Sequence, residues 1–477
     1  MIDRLLPAVD RAFSTIDRES WFVALATVVL VVSLGAAAVA ATDGTDDREA
    51  TVDEWTPDVE GVEDAEPPEE PGVATVGGEE FDSVQAAVDA AEPGDTVVLE
   101  GRFDERVTIE TADVTIEGAN GAESALIDGG GEDIVVHVAA ANVTMSDLWV
   151  RDSGPDRGNE DAGLLVNGSE STLSELRITD VTYGVWIGEA EDVTVEESTI
   201  VGREDVSESE RGNGIHLDRA DGAELRDNRI ATARDGIYFS WSEGVVAEGN
   251  AMWDLRYGVH YMYSDDNRLE GNVAFDNDVG FALMVSSNLT VANNTAVRND
   301  GPSGQGILIK DVDDSVVRDN AVVGNGNGLY VYNAHRNEIV DNLVLENDVG
   351  IQFTAGSSDE LVVGNSFVAN GQSAYAPTTA QIHWNDSERG NYWSDARAVD
   401  LDGDGTSETR HQPAGAVEGV IHDRPQAAVF AESPAFDAVR MAESSFPVLE
   451  SPGVVDHRPL ADSPHDNWRD YYATHDH

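Results

Sequence analysis

The sequence reads as an all-β protein built around a right-handed parallel β-helix. Three observations carry that reading. A glycine recurs at Gly214, Gly236, Gly258, Gly280, Gly306, Gly328 and Gly350, in steps of 22, 22, 22, 26, 22 and 22. An asparagine follows fourteen residues behind, at Asn228, Asn250, Asn272, Asn294, Asn320 and Asn342, then one residue late at Asn365. Each glycine opens a short alternating segment (GIHLD, GIYFS, GVHYM, GFALM, GILIK, GLYVY, GIQFT) with turn residues behind it. Two markers sharing one period define a structural repeat. Twenty-two residues leave room for about three short strands per turn. Helical repeats need apolar spacing near 3.6 and a longer unit, so they do not fit.

The elements follow in order. Residues 1–20 form a short segment on the cytoplasmic side. Residues 21–41 (WFVALATVVLVVSLGAAAVAA) carry no charge and are long enough to cross a bilayer as a helix. They form a transmembrane anchor or a cleavable signal, Ala38-Val39-Ala40 offering the small-residue pattern of a cleavage site. Either way the bulk of the chain lies outside the cytoplasm. Residues 42–72 are acidic, contain Pro and lack an apolar period, which predicts a disordered linker. The β-helix is expected over 73–390. FDSVQAAVDAA, Phe81 to Ala91, reads as its amphipathic capping helix, with Ser83 or Asp82 as N-cap and Val84, Ala87 and Val88 inward. Ten or eleven rungs at about 4.8 Å each make a rod of roughly 50 Å. Beyond Trp384 the repeat stops. A mixed, partner-docking segment is expected over 391–460, and a flexible His-containing tail over 461–477.

Composition narrows the function. Asp plus Glu number 92 against 28 Lys plus Arg, a net charge of -64, and Lys310 is the one lysine. Such a surface repels nucleic acid and anionic lipid. Self-repulsion on this scale is tolerated in strong salt, so the composition reads as halophilic. Hydrophobic residues make up 41% and are patterned, which argues against disorder across the chain. There is no cysteine, so disulfides, zinc-thiolate sites and thiol nucleophiles are excluded, and soft-metal chemistry falls to Met and His.

The period places side chains. Positions one and three after each glycine are apolar and face the core; positions two and four face out. The position-two column runs Trp186, His216, Tyr238, His260, Ala282. The position-four column runs Gly188, Asp218, Ser240, Met262, Met284, Lys310. Met262 and Met284 stack about 4.8 Å apart, with His260 about 6.7 Å along the strand. Thioether and imidazole suit Cu(I), which makes His260, Met262 and Met284 a candidate copper site. The alternative is that this Met pair lies under a loop or a partner. Met252 belongs to the core register. Asp400, Asp402, Asp404 and Glu408 follow the start of a calcium loop, although His411 stands where the terminal bidentate Glu belongs. A chance match in so acidic a chain is the rival reading.

Several stretches together carry a resemblance. LRYGVHYMYSDDN at 255–267, GFALM at 280–284, GNYWSD at 390–395 with the Asp-rich turn after it, and FPVL…GVVDHRPL near the end are similar to the NosD family. Those are extracytoplasmic β-helix proteins that help mature nitrous oxide reductase, and the resemblance spans roughly residues 75–460. It implies a non-enzymatic role in building the copper-sulfur centre of that enzyme. The implied partners are an ABC transporter membrane subunit and its ATPase, a copper chaperone lipoprotein and the reductase itself. The chain departs from the commoner pattern in its anchor, its acidic linker and the terminal SPHDNWRDYYATHDH. The alternative is a polysaccharide lyase, hydrolase or epimerase, or a carbohydrate-binding β-helix, for which Asp265, Asp266 and Lys310 are loose candidates. A surface-layer or adhesion solenoid is the third reading.

Overall fold

The computed structural model describes residue 55 and residues 65–472, apart from residues 355, 378–380 and 397 and much of 415–452. Segments 1–20 and 21–41 and most of the linker lie outside the described residues. Among those described, no helix is long and apolar enough to cross a membrane. The described residues fall into two compact units, one within residues 55–414 and 453–472, the other within residues 415–451. The smaller one shows a 3-10 helix at Pro425–Phe430.

The larger unit is a parallel β-helix with three strands per turn. One flank is a sheet of twelve parallel strands. The other two flanks join into a single 26-stranded sheet, because the long strand Thr96–Asp104 pairs with Thr115–Gly118 through its first half and with Ala125–Asp128 through its second. Twelve stacked strands exceed the ten or eleven rungs expected. The additional turns lie before Gly214, where consecutive partners on this flank (Val107, Val136, Leu164, Val185, Ile215) are 29, 28, 21 and 30 residues apart. Loop excursions there break the 22-residue period that the markers follow.

Inside, the position-one and position-three columns form the core. Ile215, Leu217, Ile237, Phe239, Val259, Tyr261, Phe281 and Leu283 are all buried, as is Met252. The Phe239 and Tyr261 rings stack at 4.1 Å. The Asn column is a continuous ladder. Asn250 Nδ2 donates to Asn272 Oδ1 at 2.8 Å, Asn272 to Asn294 at 3.0 Å, Asn294 to Asn320 at 3.0 Å, and Asn320 to Asn342 at 2.9 Å. Each Oδ1 also takes the preceding Asn backbone N–H, and the second Nδ2 proton reaches a carbonyl one turn back, as in Asn272 to Ala247 at 2.9 Å. No carboxamide group is left over, which is what makes burial tolerable. A second ladder, Asn277–Asn299–Asn325–Asn347–Asn370, runs beside the first with links of 3.0–3.1 Å.

Both ends are closed. Helix α1, Val84–Ala90, is shorter than the predicted Phe81–Ala91, because Phe81 ends a hairpin strand, Glu79–Phe81, paired antiparallel with Val73–Val76. Ser83 is the N-cap, its Oγ accepting from Ala86 N–H at 3.2 Å, and the Glu105 carboxylate takes the Val84 N–H at 2.6 Å. At the other end the first Asn ladder runs through Asn365 to Asn391. It stops on the buried Asp456 carboxylate, which accepts from Asn391 N–H at 2.7 Å and Trp393 Nε1–H at 2.9 Å. Gly390 must be glycine here, since a Cβ would sit 1.9 Å from Asp456 Oδ1.

Part of the expected flexible tail, up to residue 472, lies among the described residues. Residues Asp466–Tyr472 form a 3-10 helix. Its Trp468 and Tyr471, together with Trp55 of the linker, cover an apolar strip of Phe275, Val297, Val323, Leu343, Leu345 and Val368 on the outer flank. Burial of that strip supplies the driving force the acidic composition hid. His465 is held at both ring nitrogens, by Ser366 Oγ at 2.8 Å and Asp341 O at 3.0 Å. His475 and His477 lie outside the described residues.

Asn272→Ala should destabilise the rod by about 2–4 kcal/mol, because it leaves buried donors of Asn250 without an acceptor. Guanidinium unfolding at fixed high salt measures it. Glu360 generates a second prediction. It follows Ser315 and Asn337 in a third column of side chains that accept N–H groups of the preceding turn, taking the Asn337 N–H at 3.0 Å, and burial pushes its carboxyl up to about 7. Its folded value exceeds the unfolded one, so its stabilising contribution is complete below about pH 4.5 and is lost as pH rises through about 7. Glu360→Gln should therefore raise Tm at pH 8 and leave it nearly unchanged at pH 4.5.

Candidate functional site

The candidate site sits on the twelve-stranded flank. Its strands are Tyr183–Gly188, Ile215–Asp218, Asp235–Ser240, Tyr257–Met262, Val279–Ser287 and Gln305–Asp313. Register pairs Trp186 with His216, His216 with Tyr238, Tyr238 with His260, and His260 with Ala282. In the neighbouring column Ser240 pairs with Met262 and Met284 with Lys310. The His260–Ala282 offset places Met262 beside Met284 on adjacent rungs. Both Met side chains are half-buried. Met284 packs on a small apolar cluster of Val279, Ala282 and Leu308, flanked by Tyr257 and Tyr330.

His260 differs from the solvent-facing ligand the alternation implies. It is only 8% exposed, because rings and a charge pair wall it in. Tyr238 and Tyr257 meet it edge-on at 4.9 and 5.0 Å. Its Nδ1 lies 2.9 Å from Asp235 Oδ2. A carboxylate only accepts, so Nδ1 carries the proton. Asp235 is itself almost fully buried and is gripped by the Arg256 guanidinium at 2.8 and 2.6 Å. Burial works to raise the Asp235 carboxyl, but the hydrogen bonds from His260 and Arg256 outweigh it and hold the group below the ordinary carboxylate range. What remains of His260 is Nε2, buried and without a protein partner. A His with its other nitrogen fixed by a carboxylate and one lone pair free is the arrangement that carboxylate–histidine metal ligands use.

Two excursions between strands wall one side. Residues 201–213 contain a 3-10 turn, Glu208–Glu210, and the loop after Asp152 contains another, Arg157–Asn159. Arg157 Nη1 joins them by donating to Ser209 O at 2.8 Å. The Asn213 amide touches His216 Nδ1 at 2.9 Å, and His216 stacks on Trp186 at 3.8 Å. Burial lowers the His216 imidazole to about 3, so the ring is neutral. At the other side of the Met column the chain turns through Trp241, Tyr263 and Val285, with φ of 52°, 56° and 49°. Bulky side chains rarely occupy this left-handed region. Trp241 and Tyr263 stack at 4.6 Å and stand open to solvent.

The Asp-rich loop is a separate place. It brings oxygens of Asp400, Asp402 and Glu408 within 4.8 Å of one another. Asp404 is not in that group, its Oδ1 being taken by Thr406 N–H and Oγ–H. Of the loose catalytic candidates, Asp265 Oδ1 accepts from Ser287 N–H and Lys310 continues the Met column.

Sequence reasoning missed Asp235 and Arg256. A signal existed: in the column immediately before each glycine (Asn213, Asp235, Tyr257, Val279, Gln305, Asn327, Val349), Asp235 is the one charged residue. Asp235→Ala should cost about 3–5 kcal/mol, because it strands Arg256 and His260 in a buried setting. Chemical unfolding in high salt checks it, with a loss below about 1 kcal/mol counting against the network.

Residues 196–398 match the family model described as NosD, periplasmic copper-binding protein. The protein "Probable ABC transporter binding protein NosD" of Pseudomonas aeruginosa is 37% identical over 410 residues, covering 82% of this chain and 94% of the relative. The protein of the same name from Stutzerimonas stutzeri is 37% identical over 357 residues, covering 71% of this chain and 81% of the relative. Among solved structures, the A-module of the Azotobacter vinelandii mannuronan C-5 epimerase AlgE6 aligns with a TM-score of 0.52 and 18% identity. It covers 62% of this chain and 91% of its own, a likeness of fold alone.

Proposed function

Because the chain belongs to the NosD family, we propose that it is an extracytoplasmic, non-enzymatic maturation factor that handles Cu(I) for the copper-sulfur centre of nitrous oxide reductase. In this reading it works with the membrane subunit and ATPase of an ABC transporter, takes copper from a chaperone lipoprotein and presents it to the reductase. An N-terminal membrane helix would keep it at the site of handover. The observation that carries the reading is relatedness along nearly the whole length of proteins named for binding an ABC transporter.

Copper is the cargo here, and the face formed by His260, Met262 and Met284 is where it binds. The donor set supports this. His260 offers a fixed Nε2 lone pair without a competing partner. The two thioethers come from adjacent rungs, and soft sulfur prefers Cu(I) over hard cations. Asp235 would orient the imidazole, and Arg256 would keep that carboxylate ionised. The exposed Trp241–Tyr263 pair would give a metal-delivering partner an apolar foothold beside the Met column. The loop of Asp400, Asp402 and Glu408 would take calcium in a structural role. A polyuronate enzyme is the weaker reading, since a net charge of -64 opposes a polyanionic substrate.

Replacing both Met262 and Met284 with Leu preserves shape and removes sulfur. It should weaken Cu(I) binding about tenfold or more in competition with a Cu(I) chelator at high salt. Unchanged affinity would remove this face as the copper site.

A further inference from the structure

We infer that His383 and His457 form a second metal site, which takes one copper ion through two imidazole nitrogens. The pair stands in the C-terminal three-stranded sheet, away from the Met column in both sequence and sheet. His383 ends the strand Gln381–His383, which runs parallel to Gly453–Asp456 with His383 opposite Val455. His457 therefore emerges two residues past that partner, alongside His383. His457 Nε2 lies 3.2 Å from His383 Nδ1, and the rings overlap at 5.1 Å with a 30° tilt. Both side chains are exposed.

The separation is the informative quantity. With metal–nitrogen bonds of about 2.0 Å, two neighbouring ligands lie about 2.8 Å apart in a square plane and about 3.3 Å apart in a tetrahedron. The observed 3.2 Å falls between them. An ion can enter without backbone movement, and the backbone on both sides is already fixed. Asn385 Oδ1 accepts from His457 N–H at 3.1 Å, Trp384 N–H donates to Val455 O at 3.0 Å, and Asp456 closes the Asn ladder next door. With the His457 proton on Nδ1 and the His383 proton on Nε2, both facing nitrogens present lone pairs to an ion.

The donors select the ion. Nearby carboxylates are committed elsewhere: Asp386 to the Glu388 and Arg389 N–H groups, Asp456 to Asn391, Trp393 and Arg458. That leaves nitrogen ligands alone, which suit copper and zinc, and Cu(II) binds tightest in that series. The remaining coordination positions face outward, open to water or to a ligand from another protein. The site is independent of the Met262 face and stands or falls separately.

The test is titration of the full chain with Cu(II), followed by electron paramagnetic resonance. The wild type should bind one equivalent with hyperfine coupling to two nitrogens. His383→Gln and His457→Gln, which keep polar side chains at exposed positions, should each weaken that equivalent about tenfold or more and lose one nitrogen coupling. Met262→Leu with Met284→Leu should leave it intact. Cu(II) should also protect His383 and His457 of the wild type from carbethoxylation by diethyl pyrocarbonate, a readout that needs no variant. Unchanged affinity and coupling in both Gln variants, or full labelling of both histidines in the presence of Cu(II), would overturn the assignment.

Discussion

A column of buried carboxamides is the interaction on which the rest of this structure depends. From Asn228 to Asn365 each Asn side chain accepts from the turn before and donates to the turn after, the last link ending on Asn391. The ladder is directional, and every link is satisfied only when neighbouring turns are in register. A slip of one residue would bury unpaired amides and reverse every outward side chain. The second Asn ladder imposes the same condition at another corner. Register is therefore fixed by hydrogen bonds at the corners as well as by the apolar core.

That constraint explains why so much could be read from the sequence. Fixed register turns a linear period into columns, and the Ser240–Met262 and Met284–Lys310 pairings follow from counting. The helix cap, narrowed to Ser83 or Asp82, and the inward Met252 were legible for the same reason: each answers a local rule. What was not legible depends on contacts between distant segments. Nothing near Trp468 or Tyr471 says that they meet Trp55 on the flank of the rod. The His383–His457 pair unites residues 74 apart. The early turns escaped counting because their excursions erase the period.

Of the candidate site, the sequence located the columns but not their surroundings. Alternation predicts which way a side chain leaves the sheet; it does not predict what lands on top. His260 points outward and is nonetheless buried, since Tyr238, Tyr257, Asp235 and Arg256 close over it. Burial changes its chemistry from a freely solvated imidazole to one with an assigned proton and a single available lone pair. Met262 and Met284 are half-buried in the neighbouring column, Met284 on the apolar cluster of Val279, Ala282 and Leu308.

The corners carry a consequence of another kind. Asp147, Glu175, Glu197 and Asp227 occupy the left-handed region at one corner of four successive turns. Stacked at about 4.8 Å, neighbouring unit charges repel by about 0.9 kcal/mol in water before screening. Along that edge the molecule is a line charge, pulled together by hydrogen bonds inside and pried apart from outside. Cations gathered along the edge would offset part of that repulsion, so this corner would be held more weakly when the salt is dilute.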